Sequence, residues 1–286
     1  MPRTPRRRSR QPAGAAGLAG VAAVLALTAC MPELPTHPTT RGTVAVSSAT
    51  AAAASVQPPV PSPTSLASAT SPTSAASLGQ SVAGVDVSSY QSRVDWPGLW
   101  ASGHRFAWVK ATEGVTYVSP TYAAQRSGAL AVGMLVGGYH YARPASSGGA
   151  AQARHFLAHG GGWTPDGRTL PGALDLEPAT TTDPCHGLTV PEFVGWVEDF
   201  VRTYRAAIGR PPVIYVATAM WQRCLGDNTS VGADSPLWLF DHDGPMGPLP
   251  ARWNRPTVWQ RGVENNLDRN VFLGGEAELR RWASTP

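Results

Sequence analysis

The chain of 286 residues has a single lysine, Lys110, against 22 arginines, and only three cysteines. It has no Gly-x-Gly-x-x-Gly after its first apolar strand and no phosphate-binding loop, which counts against nucleotide-binding folds. It has 23 basic and 19 acidic residues, but five of the basic ones are Arg3, Arg6, Arg7, Arg8 and Arg10, a stretch that holds no acid. Without them the balance is 18 to 19, so the high isoelectric point belongs to the amino-terminal end. A nucleic-acid-binding role thereby loses its electrostatic support. Aromatic residues are also missing from the early chain, and the first is Tyr90.

What stands in that early region reads as export and tether. The arginines are followed by an apolar run from Ala13 to Ala29, then Cys30. A charged region, a short apolar region and a small residue make an export signal, expected over 1–29. Leu27-Thr28-Ala29-Cys30 resembles the lipobox of bacterial lipoproteins, in which Cys30 is lipidated and holds the protein on a membrane surface. Plain secretion with an incidental Cys30 is the alternative. Residues 30–80 are rich in Pro, Ser, Thr and Ala with almost no charge. Such a segment cannot bury enough apolar surface to fold and is expected to be a disordered linker reaching roughly 40 Å.

From residue 81 to 286 short apolar runs alternate with amphipathic ones. Strands are expected at Ala83–Val87, Phe106–Lys110, Met134–His140, Ala173–Glu177, Pro212–Ala217, Leu237–Phe240 and Thr257–Gln260. Helices are expected from Ser119 to Ala131, Ala150 to His159 and Glu276 to Trp282, and after Asp95, where Pro97 follows an N-capping acid. Thr189 with Glu192 forms a capping box before an apolar stripe running from Phe193 to Ile208. Strand alternating with helix means parallel βαβ units, hence a barrel or a doubly wound sheet.

Within this pattern, Leu174-Asp175-Leu176-Glu177-Pro178 carries the chemistry. Side chains two apart on a strand share a face, so both carboxylates point into one space. Pro178 ends the ladder there. Mutual repulsion and burial raise one pKa while the other group stays ionised, as acid-catalysed cleavage of a glycoside requires. Taken alone, the same three residues serve equally well as the solvated start of a loop. In a barrel, function sits at the carboxyl ends of the strands. Asp86, Lys110–Glu113, Tyr139-His140, Asp175–Glu177 and Trp259-Gln260 all fall at or near such ends.

Together these pieces resemble the glycoside hydrolase family 25 lysozymes. The matching segments are Gly84–Gln91, Val94-Asp95-Trp96, Lys110–Gly114, Gly138–Ala142, Leu174–Glu177, Leu237-Trp238, Trp259-Gln260 and Asp268–Phe272. The resemblance implies a distorted, TIM-like β/α barrel that hydrolyses β-1,4 bonds between N-acetylmuramic acid and N-acetylglucosamine in the glycan strands of peptidoglycan. It implies Glu177 as general acid and Asp175 as the group that orients the 2-acetamido substituent or stabilises positive charge. Asp86 and Asp268 complete the acidic floor. Tyr139, Trp238, Trp259, Gln260 and Asn270 are expected to contact substrate, with core packing the alternative for the aromatics. Lys110 and Glu113 are expected to form a structural ion pair.

Two segments depart from the family pattern. Arg261 stands where an aromatic residue is usual, and Glu264-Asn265-Asn266 replaces a longer loop before Asp268. Asp241-His242-Asp243 is also unusual, but it lacks the spacing of a metal site, and neither metal nor organic cofactor is expected. These departures leave open a wall-binding protein without catalysis, and the fold alone leaves open another N-acetylhexosamine polymer such as chitin. In an exported domain Cys185 and Cys224 are expected to pair, two buried thiols being the alternative. The protein is expected to be extracytoplasmic and monomeric.

Overall fold

The computed structural model describes residues 80–226, 230, 234–242 and 245–286. The expected signal, Cys30, nearly all of the linker, and Asp243 lie outside the described residues. The architecture is a closed β/α barrel. Its strands are β1 (Val82–Val87), β2 (His104–Glu113), β3 (Tyr117–Val118), β4 (Leu135–Tyr141), β5 (Ala173–Leu176), β6 (Val213–Ala217), β7 (Leu237–Phe240), β8 (Val258–Glu264) and β9 (Leu267–Phe272). Around the barrel the order is β1-β2-β4-β5-β6-β7-β8-β9, and β9 returns to β1. β3 is a short antiparallel addition to β2 outside that circuit.

Helices α1 (Trp96–Ala101), α2 (Tyr122–Ala131), α3 (Gly149–Ala158), α4 (Val190–Ile208) and α5 (Thr218–Leu225) fill the early crossovers, and α6 (Glu276–Ser284) follows the last strand. Asp95 caps α1 by accepting from the Gly98 N–H at 3.0 Å. Glu192 reaches back to the Thr189 N–H at 2.8 Å, as the capping box requires. The stripe on α4 buries Phe193, Trp196, Val197, Phe200 and Tyr204 against the outside of the barrel. Burying each such side chain is worth about 1.5–3 kcal/mol before entropy is counted.

One expectation is corrected. The barrel is not built wholly of parallel βαβ units, because β9 runs antiparallel to both β8 and β1. The short connection Glu264-Asn265-Asn266 is the tip of a β-hairpin. Asn265 and Asn266 have φ of 52° and 61°. Two successive left-handed residues match the twist of a two-residue hairpin turn, and asparagine tolerates them. β2 also runs three residues further than expected, to Glu113.

The strands alternate cleanly. Along β6, Val213 and Tyr215 face the barrel interior while Ile214 and Val216 face the helices. The interior is aromatic: Trp108 stacks on Trp238 at 4.7 Å, and Tyr215 meets Trp238 edge-on at 4.9 Å. Gly137 makes room for this layer, since a Cβ there would lie 2.4 Å from the Trp108 ring nitrogen. α6 closes the other end with Leu279, Trp282 and Ala283. The aromatic layer is the floor on which the polar cleft rests.

Candidate active site

At the carboxyl ends of the strands a cavity of about 380 Å³ is lined by Asp86, Asp175, Glu177 and Asp268. Tyr139, Tyr141, Tyr215 and Trp238 form its aromatic lining, with Lys110 and His242 at its sides. The four carboxylates arrive by two routes. Asp175 is the penultimate residue of β5, and Glu177 follows just past the strand with its backbone carbonyl held by the His186 ring N–H at 2.9 Å. Asp86 and Asp268 are direct partners across the antiparallel β1–β9 ladder.

Asp86 is buried and its Oδ2 accepts two hydrogen bonds, from Gln260 Nε2 at 2.8 Å and Asn270 Nδ2 at 2.7 Å. Both amides are themselves fixed. Gln260 Oε1 accepts from the Tyr215 hydroxyl and from His242 Nε2, each at 2.9 Å. Asn270 Oδ1 accepts from Trp238 Nε1 at 2.7 Å. Burial, then repulsion from Asp268, pushes Asp86 up to about 8 despite those bonds. Burial also raises Asp268, while the His242 charge opposes the rise.

Asp175 has a different setting. Its Oδ1 is buried without a hydrogen-bond partner among the described residues. Burial, then repulsion from Glu177, holds its pKa well above the usual carboxylate range. Glu177 is half-buried and likewise raised by burial, against the pull of Lys110 and a hydrogen bond from Tyr141. Lys110 lies over the Tyr141 ring at 4.5 Å and pairs with Glu113 at 2.6 Å. Arg143 holds the other Glu113 oxygen at 2.6 Å. The expected ion pair is therefore a three-membered cluster at the edge of the cleft. Burial and mutual repulsion favour the protonated form of these carboxyl groups, the direction that acid catalysis on a glycoside needs.

The structure brings most of the sequence-expected residues together. Gln260 and Trp238 line the cleft, and Asn270 lies beneath, bonded to Asp86. Trp259 does not join them. Its neighbour Gln260 takes the inward face, so Trp259 points outward, packs on the outer core and donates to the Asp241 carbonyl at 2.8 Å. His140 likewise faces away from Tyr139. It is buried between Thr112 at 2.8 Å and Gln152 at 2.9 Å, and burial lowers it to about 4. Tyr215 was missed as a site residue. The signal was available, because a tyrosine inside the apolar run Val213–Ala217 alternates onto the interior face.

The departures near residue 261 also find an explanation. The β8–β9 register slips between Gln260 and Gly262, leaving Arg261 as the extra residue of a β-bulge. The bulge and the tight hairpin keep Asp268 opposite Asp86. His242 donates to Gln260, and no cluster of metal-binding side chains occurs among the described residues. Cys185 and Cys224 form a disulfide that joins the segment after Glu177 to α5.

Known proteins share this arrangement. The model for glycosyl hydrolases family 25 matches residues 85–266. The chain is 41% identical over 215 residues to the N,O-diacetylmuramidase of Chalaropsis sp., covering 72% of this chain and all of that one (100%). It is 38% identical over 211 residues to lysozyme M1 of Streptomyces globisporus, covering 71% of each. Among solved structures, the muramidase from Trichobolus zukalii superposes with a TM-score of 0.69 at 41% identity, covering 71% of this chain and 99% of that one. With the barrel, its acidic cleft and relatives of this closeness in agreement, the chain belongs to glycosyl hydrolase family 25.

Proposed function

We propose that this glycoside hydrolase is a muramidase cutting the β-1,4 bond between N-acetylmuramic acid and N-acetylglucosamine in peptidoglycan. The observation that carries the reading is Asp175 and Glu177 side by side in a cleft of carboxylates, with Glu177 half-buried and raised. Glu177 protonates the departing glycosidic oxygen. Asp175 meets the N–H of the 2-acetamido group through the oxygen that lacks a partner, and so orients the acetamido carbonyl toward the anomeric carbon. That route is the substrate-assisted variant of glycoside hydrolysis, in which no protein carboxylate attacks. Trapping a covalent Asp175–sugar adduct would overturn it.

Asp86 and Asp268 form the acidic floor beneath the sugar ring, where positive charge developing on the ring favours their ionised forms. Tyr139 and Trp238 shape that floor from below. Gln260 and Asn270 hold Asp86 in place rather than touching the reacting bond. No chemistry in this scheme calls for a metal or an organic cofactor. The amino-terminal segment supports an extracytoplasmic enzyme: residues 1–29 direct export, Cys30 carries a lipid anchor, and residues 30–80 tether the domain (81–286) away from the membrane as a monomer.

The test is release of reducing sugar from purified peptidoglycan by the parent and by Glu177→Gln. The expected result is turnover by the parent and a loss of about 10³-fold or more in the variant, the scale of removing a general acid. A parent that binds peptidoglycan yet releases no sugar would instead be a wall-binding protein on the same fold.

A further inference from the structure

A second cavity, of about 450 Å³, opens on the other side of Glu177. It shares Glu177, Tyr215 and Phe240 with the polar cleft, so the two adjoin at Glu177. Their walls differ in kind. The cleft presents carboxylates, whereas the second cavity is mostly apolar, with Leu176, Pro178, Pro184 and Met220 beside Thr180 and Thr181, and with Arg223 as its basic residue.

The cavity is a built feature. Its walls come from the segment after β5 and from α5. The Cys185–Cys224 disulfide joins them, with Cys185 next to Pro184 and Cys224 next to Arg223. The His186–Glu177 hydrogen bond ties the same segment to the acid's own backbone. Arg223 is exposed and makes no ion pair among the described residues.

The chemistry of the walls limits what fits. A hexosamine ring carries polar groups all around its edge, more than the few polar side chains of this mostly apolar wall can partner. A volume of this size falls in the usual range for ligand sites, and is far more than one acetyl group fills. Small apolar substituents followed by a carboxylate suit it better. In peptidoglycan the muramyl residue carries such a group on O3: a lactyl methyl, an alanyl methyl and then an acidic residue.

We infer that this cavity is a subsite for the peptide stem, which takes the lactyl and alanyl methyl groups while Arg223 pairs with the acidic carboxylate. The inference rests on the muramidase reading and adds a specificity: the enzyme reads the stem as well as the sugar. Binding energy from this remote group positions the scissile bond against Glu177.

The test compares kcat/KM of the full chain on peptidoglycan and on the same glycan strands freed of stems by an amidase. The parent is expected to prefer the stem-bearing strand by about tenfold, the effect of one well-placed charged contact. Ala219→Trp fills the cavity from an exposed position, and Arg223→Glu reverses its charge. Both are expected to bring the ratio close to one. A parent that cleaves both strands equally, or variants that keep the parent's ratio, overturns the subsite and leaves the muramidase reading intact. A parent that cleaves neither strand overturns the muramidase reading, and the subsite with it. Calorimetry on the parent gives an answer that needs no variant. Muramyl dipeptide is expected to bind about tenfold more tightly than N-acetylmuramic acid, and equal affinity overturns the proposal.

Discussion

The cleft holds two pairs of carboxylates made in opposite ways. Asp175 and Glu177 are neighbours along one strand end, and the two-residue repeat of extended backbone puts them together. Asp86 and Asp268 are far apart in the chain and meet only because β9 turns back antiparallel against β1. Their surroundings differ as much as their origins. Asp86 is bonded by two amides that are themselves held from behind. Asp175 keeps a buried oxygen without a partner among the described residues. A carboxylate held by two fixed donors is built to stay where it is, while a buried oxygen that lacks a partner is free to receive a hydrogen bond from substrate. In the proposed mechanism the strand-local pair does the chemistry and the cross-strand pair sets the field around it.

Substitutions that break the strand-local pair are expected to have the largest effects. Next to Glu177→Gln, Asp175→Asn keeps the size of the side chain but removes its carboxyl group and one acceptor. It is expected to lower kcat by about 10²-fold, the scale of one lost oriented contact in the transition state. Retained affinity for an uncleaved glycan would confirm that the loss lies in the chemical step. An effect as small as twofold would mean that both pairs serve only as field.

The cross-strand pair is expected to show itself in stability. Asp86 is raised in the folded protein, so its contribution is present below the unfolded carboxylate pKa and is lost as pH rises through about 8. The ionised form is the one the fold disfavours. Asp86→Asn keeps an oxygen that accepts from Gln260 and Asn270 and abolishes the buried charge. It is expected to stabilise the fold by about 1 kcal/mol at pH 8 and to change it little at pH 4. Thermal unfolding at the two pH values checks this, and equal shifts at both would remove the electrostatic explanation.

The smallest effect sharpens the contrast. Lys110 favours the ionised form of both Glu177 and Asp175. Lys110→Met removes that pull, so Glu177 keeps its proton to higher pH. The basic limb of kcat/KM against pH is expected to move up by about half a unit. A shift to lower pH would contradict the placement of Lys110. The only lysine in the chain would then serve Glu113 without tuning the acid.

Much of this was legible in the sequence because it depends on local periodicity. The capping box at Thr189, the apolar stripe on α4, the strand that ends in Glu177 and the alternation across it are set by residues a few positions apart. The site residues that sequence reasoning misjudged are those whose direction depends on strand pairing. Trp259 and Gln260 are adjacent, and only one of them can face the cleft; the register of β8 with β7 and β9 chose Gln260. Tyr215 passed as core because its run is apolar. It becomes a site residue only where β6 lies beside β5 and brings it level with Asp175.

The hairpin between β8 and β9 shows the same division most clearly. Asn265-Asn266 specify a left-handed turn by their own chemistry, and the sequence holds that information. Whether the returning strand then pairs with β8 alone or also closes the barrel against β1 depends on hydrogen bonds between segments some 180 residues apart. By itself the sequence determined the β/α class and the pairing of the carboxylates at positions 175 and 177 on one face, because those follow from the geometry of a few consecutive residues. Tertiary structure decided that Asp268 meets Asp86, that Arg261 is absorbed in a bulge, and that Glu177 stands between a polar cleft and an apolar cavity. Each of these depends on which strands become neighbours, and that is settled only when the barrel closes and every edge finds a partner.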